Sequence, residues 1–213
     1  MIVPVPEVRE LHADDQAAIA RVYIDHWREH GTNPFQDAAD IAAHLAETRR
    51  IVDAVTSPGD KVLDAGCAMG ELLAPFADLH RYGVDLVEDY RELVEANGVK
   101  FETGEIEDLP FVGRLFDVVV ATDVLEHVLD LNAAMRELLR VLRPGGVIIM
   151  RTPNAEDLAE YVNGEWDYVH LRRFDAPTFQ LLCRRIFGLT DVAIGYSGHG
   201  RGQEIHCVAR KPA

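Results

Sequence analysis

The sequence predicts an α/β fold, a doubly wound and mostly parallel sheet preceded by an N-terminal helical cap. Three observations carry this. Val62-Leu63-Asp64-Ala65-Gly66-Cys67-Ala68-Met69-Gly70 reads as a buried strand running into a glycine turn. Tyr82-Gly83-Val84-Asp85 reads as a second apolar strand closed by a carboxylate. From Lys61 onward, short apolar runs alternate with helical patterns, the order that puts helices on both faces of a parallel sheet.

The cap is assigned to residues 1–57. Ile19, Val22, Tyr23 and Trp27 repeat at three- and four-residue spacing behind Asp14 and Asp15, and Gly31 and Pro34 end that helix. A second helix is predicted over 37–55, with Ile41, Leu45, Val52 and Val55 on one side and Thr56-Ser57-Pro58-Gly59-Asp60 as its stop. Residues 58–213 form the main domain: strand 61–65, helix 70–78, strand 81–85, helix 88–96, and strands 99–102 and 116–121. Asp130 caps a helix marked by Leu131, Met135, Leu138, Leu139 and Leu142, which Pro144-Gly145-Gly146 stops ahead of strand 147–150. An insertion over residues 152–175 leads to a helix that begins after Asp175 and stops near Gly188. Strands 190–194 and 205–210, joined by Gly198-His199-Gly200-Arg201-Gly202, form an antiparallel hairpin.

Composition limits the function classes. A chain of 213 residues that is 48% hydrophobic can complete one core. Its 21 basic against 36 acidic side chains give a net charge of −15, which disfavours nucleic acid as a partner. No run approaches the roughly 20 apolar residues of a membrane span, and Met1 to Glu10 lacks a basic-then-apolar leader pattern, so a cytoplasmic protein with no membrane partner is expected. Cys67, Cys183 and Cys207 are odd in number and widely spaced, which predicts reduced thiols. The oligomeric state is left open, a homodimer included.

The glycine turn and the acid closing the next strand suit a nucleotide, because such an acid can accept both hydroxyls of a ribose. That much fits NAD as well as S-adenosylmethionine. Asp64 separates them: it places a negative charge where a dinucleotide site must receive pyrophosphate on backbone N–H groups. A sulfonium cofactor has no phosphate, and its positive sulfur and ammonium favour the carboxylates Asp64, Asp85, Glu105, Asp123 and Glu126, all at or just after predicted strand ends.

With VLDAGCAMG, GVDL, GEIEDLPF, FDVVVATDVLEHV and LRPGGVIIMRTPN in that order, residues 50–210 resemble the class I S-adenosylmethionine-dependent methyltransferases, particularly the small-metabolite branch with the ubiquinone-biosynthesis O-methyltransferases. The resemblance implies a Rossmann-like seven-stranded sheet with a C-terminal antiparallel strand. It implies that Asp64, Gly66 and Gly70 surround the methionine end of the cofactor, with Cys67 and Ala68 in the same cofactor-binding turn, that Asp85 holds the ribose, that Leu86 lies beside the adenine, that Glu105 and Ile106 line the adenine edge, and that Thr122 sits near the methionine moiety. Ala68 stands where the family often has glycine, and Glu105 where it usually has aspartate.

A sulfonium methyl is already activated, so alignment supplies much of the catalysis. A hydroxyl acceptor additionally wants a base or a metal, because phenols ionise near pH ~10 and alcohols far higher. His127 and His170 are the candidate bases. A helix after the fourth strand would put Asp123, Glu126 and His127 on one face. There Glu126 and His127 either orient the pocket through hydrogen bonds, the preferred reading, or join Asp123 in holding a divalent metal such as Mg²⁺, Mn²⁺ or Fe²⁺. His170, in Tyr168-Val169-His170-Leu171-Arg172-Arg173-Phe174-Asp175, either acts on the acceptor, as similar strings in relatives that methylate sugars suggest, or joins Arg172 in tying down its loop through backbone carbonyls, the preferred reading.

Trp166, Tyr168 and Arg172 are the candidate acceptor contacts, Arg172 with loop anchoring or solvent exposure as its alternative, and Tyr161 could share an aromatic lid. Tyr23 and Trp27 are read as packing, Cys67 as a small apolar filler, and His26, His30 and His44 as helix-surface residues.

The expected activity is methyl transfer from S-adenosylmethionine to a hydroxyl of a small metabolite, sugar or natural-product in type. A quinone-like phenol with metal assistance, a small amine, an NAD oxidoreductase and a non-catalytic cofactor-binding protein are the alternatives.

Overall fold

A computed structural model describes Glu29 and residues 38–155, 170–197 and 204–213. The elements are α1 (Ala38–Val55), β1 (Lys61–Ala65), β2 (His80–Asp85), a 3₁₀ turn (Glu88–Tyr90) leading into α2 (Arg91–Ala96), β3 (Lys100–Thr103), a second 3₁₀ turn (Ile106–Asp108), β4 (Phe116–Thr122), α3 (Leu131–Val141), β5 (Leu142–Pro153), α4 (Ala176–Leu181) with a π turn (Leu182–Ile186), β6 (Thr190–Ser197) and β7 (Glu204–Arg210). The first predicted helix and the acceptor candidates Tyr161, Trp166 and Tyr168 lie outside the described residues.

The strands form one seven-stranded sheet in the order β3-β2-β1-β4-β5-β7-β6. β1 through β5 pair in parallel, and β7 runs antiparallel between β5 and β6. Alternate residues of each central strand feed two different cores, as the two-residue period of a strand requires. Leu63, Val119, Ala121, Ile148 and Met150 join Met135 and Leu138 of α3 and Phe179 of α4 on one face. Val62, Val118, Val120, Val147 and Ile149 join Val52 of α1 and Val94 of α2 on the other. This double burial is why the strands read as continuous apolar runs instead of alternating ones.

Caps place the helices on the C-terminal side of the chain. Asp130 accepts the Asn132 and Ala133 N–H groups at 2.9 and 3.0 Å, and Asp175 accepts that of Thr178 at 2.7 Å. Each such cap stabilises its helix by about 1 kcal/mol.

Some predicted elements differ. Residues 70–78 form successive turns, not a helix, with Phe76 N–H on the Leu73 carbonyl at 3.1 Å. Pro75 lacks an N–H and would clash inside a helix, and Asn97 donates to the Met69 carbonyl at 2.9 Å and holds the turn open. β5 starts at Leu142, before the Pro144-Gly145-Gly146 expected to precede it, because Leu142 pairs with Phe116 ahead of a register shift. His44 is buried at 7% exposure where a surface residue was expected, since its side of α1 packs onto the sheet. Among the described residues no helix is long and apolar enough to cross a membrane.

Candidate functional site

The strand order reverses between β1 and β4, which opens a crevice beyond their carboxyl ends. The residues after β1 and after β4 meet there. Gly66 has φ +80°, and a Cβ at that position would collide with the Val124 side chain. Gly66 and Cys67 donate to the Val84 carbonyl at 2.8 and 3.1 Å, tying the turn to the end of β2. Ala68 has φ +43°, a left-handed conformation that costs a residue with a Cβ about 1–2 kcal/mol. This is the physical reason glycine is common at that position of the motif.

Asp85 accepts the Ala68 N–H on one carboxylate oxygen at 2.9 Å and the Val87 N–H on the other at 3.1 Å. Burial raises its pKa, and these N–H bonds oppose the rise. Each oxygen keeps a further lone pair for a hydroxyl. The Gly104 N–H bonds the Asp85 carbonyl at 3.0 Å, which brings Glu105, half-buried ahead of the second 3₁₀ turn, and Ile106, 8% exposed, to the same corner. Leu86 stands beside them at 41% exposure, an apolar surface suited to a flat ring.

Asp64 is 3% exposed, and its Oδ1 meets no hydrogen-bond partner among the described residues. Burial, reinforced by Asp85 and opposed by Arg151, pushes its carboxyl up to about 7. An orphaned buried carboxylate is costly unless a donor or cation arrives, and the ammonium and sulfonium of S-adenosylmethionine fit that requirement. Cys67 is buried, and burial pushes its thiol well above the ordinary range, so it serves as filler.

The segment after β4 departs from the expected helix. Asp123 takes φ +55°, and His127 N–H bonds the Val124 carbonyl at 2.9 Å in a turn. No helix therefore aligns Asp123 with Glu126 and His127, although its charge still acts on both. Its carboxylate is instead paired with Arg151, whose Nε reaches Oδ1 at 3.2 Å. Burial alone would raise the Asp123 pKa, but the guanidinium holds it below the usual value. Arg151, 6% exposed, also donates to Thr48 Oγ1 of α1 at 3.2 Å.

Glu126 is 1% exposed; Thr152 donates to its Oε2 at 3.2 Å, while Oε1 has no hydrogen-bond partner among the described residues. Burial and Asp123 raise its pKa well above the carboxylate range. The Leu171 N–H bonds the Glu126 carbonyl at 2.9 Å and so brings His170 to His127, ring centroids 4.9 Å apart at 61°. Arg172, expected at the acceptor, directs its guanidinium to the carbonyls of Leu125, Val128 and Leu129; the Leu125 contact is 3.2 Å and the Leu129 contact 3.1 Å. It anchors the loop. Thr122 closes β4 opposite Arg151 in register.

Sequence reasoning missed Arg151, Thr152, Glu204 and His206. The usable signal was an arginine inside the apolar run Val147–Thr152. Glu204 is pushed up to about 8 by burial and Asp123 against the pull of Arg151, and His206 down to about 4 by burial and Arg151.

The sequence profile of a family described as a methyltransferase domain matches residues 27–193. A Mycolicibacterium smegmatis protein described as a probable S-adenosylmethionine-dependent methyltransferase is 38% identical over 45% of this chain and 39% of its own length. An O-methyltransferase of Pyrenophora dematioidea is 27% identical over 58% of this chain and 50% of its own. The chain thus spans half or less of these two curated relatives. The crystal structure of the Burkholderia thailandensis 1,6-didemethyltoxoflavin-N1-methyltransferase with bound 1,6-didemethyltoxoflavin and S-adenosylhomocysteine superposes with a TM-score of 0.75 at 19% identity, over 97% of this chain and 93% of that one. That likeness is one of fold.

Proposed function

This chain belongs to the methyltransferase-domain family, as a class I S-adenosylmethionine-dependent methyltransferase, and from that premise we propose that it methylates a hydroxyl oxygen of a small metabolite, sugar or natural-product in type. The observation that carries the reading is the His127–His170 pair, centroids 4.9 Å apart, three residues beyond the Val124 that packs over Gly66. S-adenosylmethionine supplies an activated methyl on a sulfonium.

The protein's own work is to bind, orient and deprotonate. Asp85 receives the ribose hydroxyls; Asp64 receives the ammonium; Leu86, Glu105 and Ile106 border the adenine. A neutral imidazole at His170 or His127 accepts the hydroxyl proton as the oxygen attacks, a contribution of roughly 10²–10⁴ in rate. Arg172 and Thr152 hold the loop and Glu126 in place. The net charge of −15 favours a small-molecule acceptor over nucleic acid, and a cytoplasmic setting accords with the absence of a spanning helix among the described residues. One observation favours a second reading: one buried oxygen each of Glu126 and Glu204, unpartnered among the described residues, would suit a cationic amine.

Incubation with methyl-labelled cofactor and a panel of hydroxylated and amine metabolites tests the assignment by the mass and acid stability of the product. A labelled methyl ether is the expected result, and a labelled amine alone refutes oxygen transfer. His170→Ala should cut turnover by about 10²–10⁴ while cofactor affinity stays within about twofold. Loss of cofactor binding instead would remove His170 from the acceptor's side of the site.

A further inference from the structure

We propose that Glu126, His127 and His170 form a binding site for one divalent transition-metal ion of the Zn²⁺ or Mn²⁺ type. One ligand atom from each, a carboxylate oxygen and two imidazole nitrogens, lies within 4.8 Å of the other two, the one such group of three among the described residues. Ligands at about 2.0–2.2 Å from a shared ion stand at most about 4.4 Å apart. Small rotamer changes therefore close the set.

Two features make this a built site instead of a chance cluster. The first is Glu126 Oε1, buried and without a hydrogen-bond partner among the described residues, 3.9 Å from His127 Nε2. That separation is too long for a hydrogen bond and matches two ligands flanking one ion. The second is the scaffold. Thr152 orients the other oxygen of Glu126 from β5, as outer groups orient metal ligands elsewhere. The Leu171 N–H on the Glu126 carbonyl and the Arg172 guanidinium on the Leu125, Val128 and Leu129 carbonyls lock the two ligand-bearing segments together.

Both imidazoles are half-buried. Two nitrogens and one oxygen favour Zn²⁺, Mn²⁺, Fe²⁺ or Co²⁺ over the oxygen-seeking Mg²⁺ and Ca²⁺. Asp123 belongs to a different set, since Arg151 occupies its carboxylate.

The role of the ion rests on the oxygen-acceptor reading. With an ion held there, the acceptor hydroxyl it coordinated would have a lowered pKa and would lose its proton to solvent, the imidazoles serving as ligands; without the ion they keep the role of base described above. The oxygen lone pair then forms the C–O bond while the C–S bond breaks and its electrons remain on sulfur, leaving a methyl ether and a neutral thioether.

The test uses the untagged full chain, stripped with chelator and titrated with Zn²⁺, Mn²⁺ and Co²⁺ alone. One equivalent should bind, and Co²⁺ should show visible bands of mixed nitrogen and oxygen coordination. Binding should weaken at least about tenfold in His170→Ala and Glu126→Gln, less in Thr152→Val, and stay unchanged in the control His80→Ala, an exposed histidine at the start of β2. The Co²⁺ spectrum of the parent chain needs no variant to fold. No saturable binding, or binding that survives His170→Ala, overturns the site. Methyl ether formation in full chelator sinks the ion's role and leaves the oxygen acceptor standing. Ion binding with methylation of amines alone does the reverse.

Discussion

Replacing Arg151 by Met should destabilise the chain by about 3 kcal/mol. The guanidinium is 6% exposed, makes a two-pronged pair with Asp123 plus a bond to Thr48, and offsets the nearby charges of Glu126 and Glu204. Removing one member of a buried pair costs about 3–5 kcal/mol. The lower end applies because the Asp123 side chain keeps 28% exposure and can be partly solvated. For a chain of this size the loss corresponds to a Tm lower by roughly 6–12 °C. Urea unfolding followed by circular dichroism measures it, provided the m-value is unchanged. Adding Asp123→Asn should recover a coupling of about 1–3 kcal/mol, because the stranded carboxylate is then gone. A loss below about 1 kcal/mol, or strict additivity of the two substitutions, would show that Arg151 does not hold the loop after β4.

Gly66→Ala should cost about 2–4 kcal/mol, from the left-handed φ of +80° and the collision with Val124, and should abolish saturable cofactor binding in calorimetry; normal affinity would contradict the site geometry. Ala68→Gly relieves φ +43° at about the entropic cost of a glycine, so stability should stay level or rise by up to about 1 kcal/mol in the same urea assay. Asp64 rises from an ordinary 3.8 to about 7 on folding, so the folded chain holds a proton that the unfolded chain releases between those values. Its contribution to stability falls as pH climbs through that window, and Asp64→Asn should be more stable than the parent at pH ~8 and equal to it near pH ~4. Cofactor binding calls for the ionised acid and should weaken about tenfold from pH ~8 to pH ~6; a flat profile would remove Asp64 from the ammonium.

The turn after β1 and the acid after β2 were legible because they depend on neighbours in the chain: apolar runs, a glycine demanded by φ, a carboxylate at a strand end. The same local signals failed at residues 70–78, where Pro75 outweighed helical spacing, and after β4, where Asp123 turns left-handed toward an arginine from β5. In the sequence Arg172 is open between an acceptor contact, a loop anchor and a solvated cation, and the loop carbonyls it reaches decide for the anchor.

By itself, the order of apolar strands and polar turns determined the sheet, its two cores and the crevice where a nucleoside with a positive charge is received, because burial on both faces and backbone sterics are written into local residue types. Only the tertiary structure decided which carboxylate pairs with Arg151, which is left with an orphaned oxygen, and that His170 meets His127. Those choices rest on satisfying buried charges and carbonyls between segments distant in the chain, and no periodicity along the sequence encodes the partner across the fold.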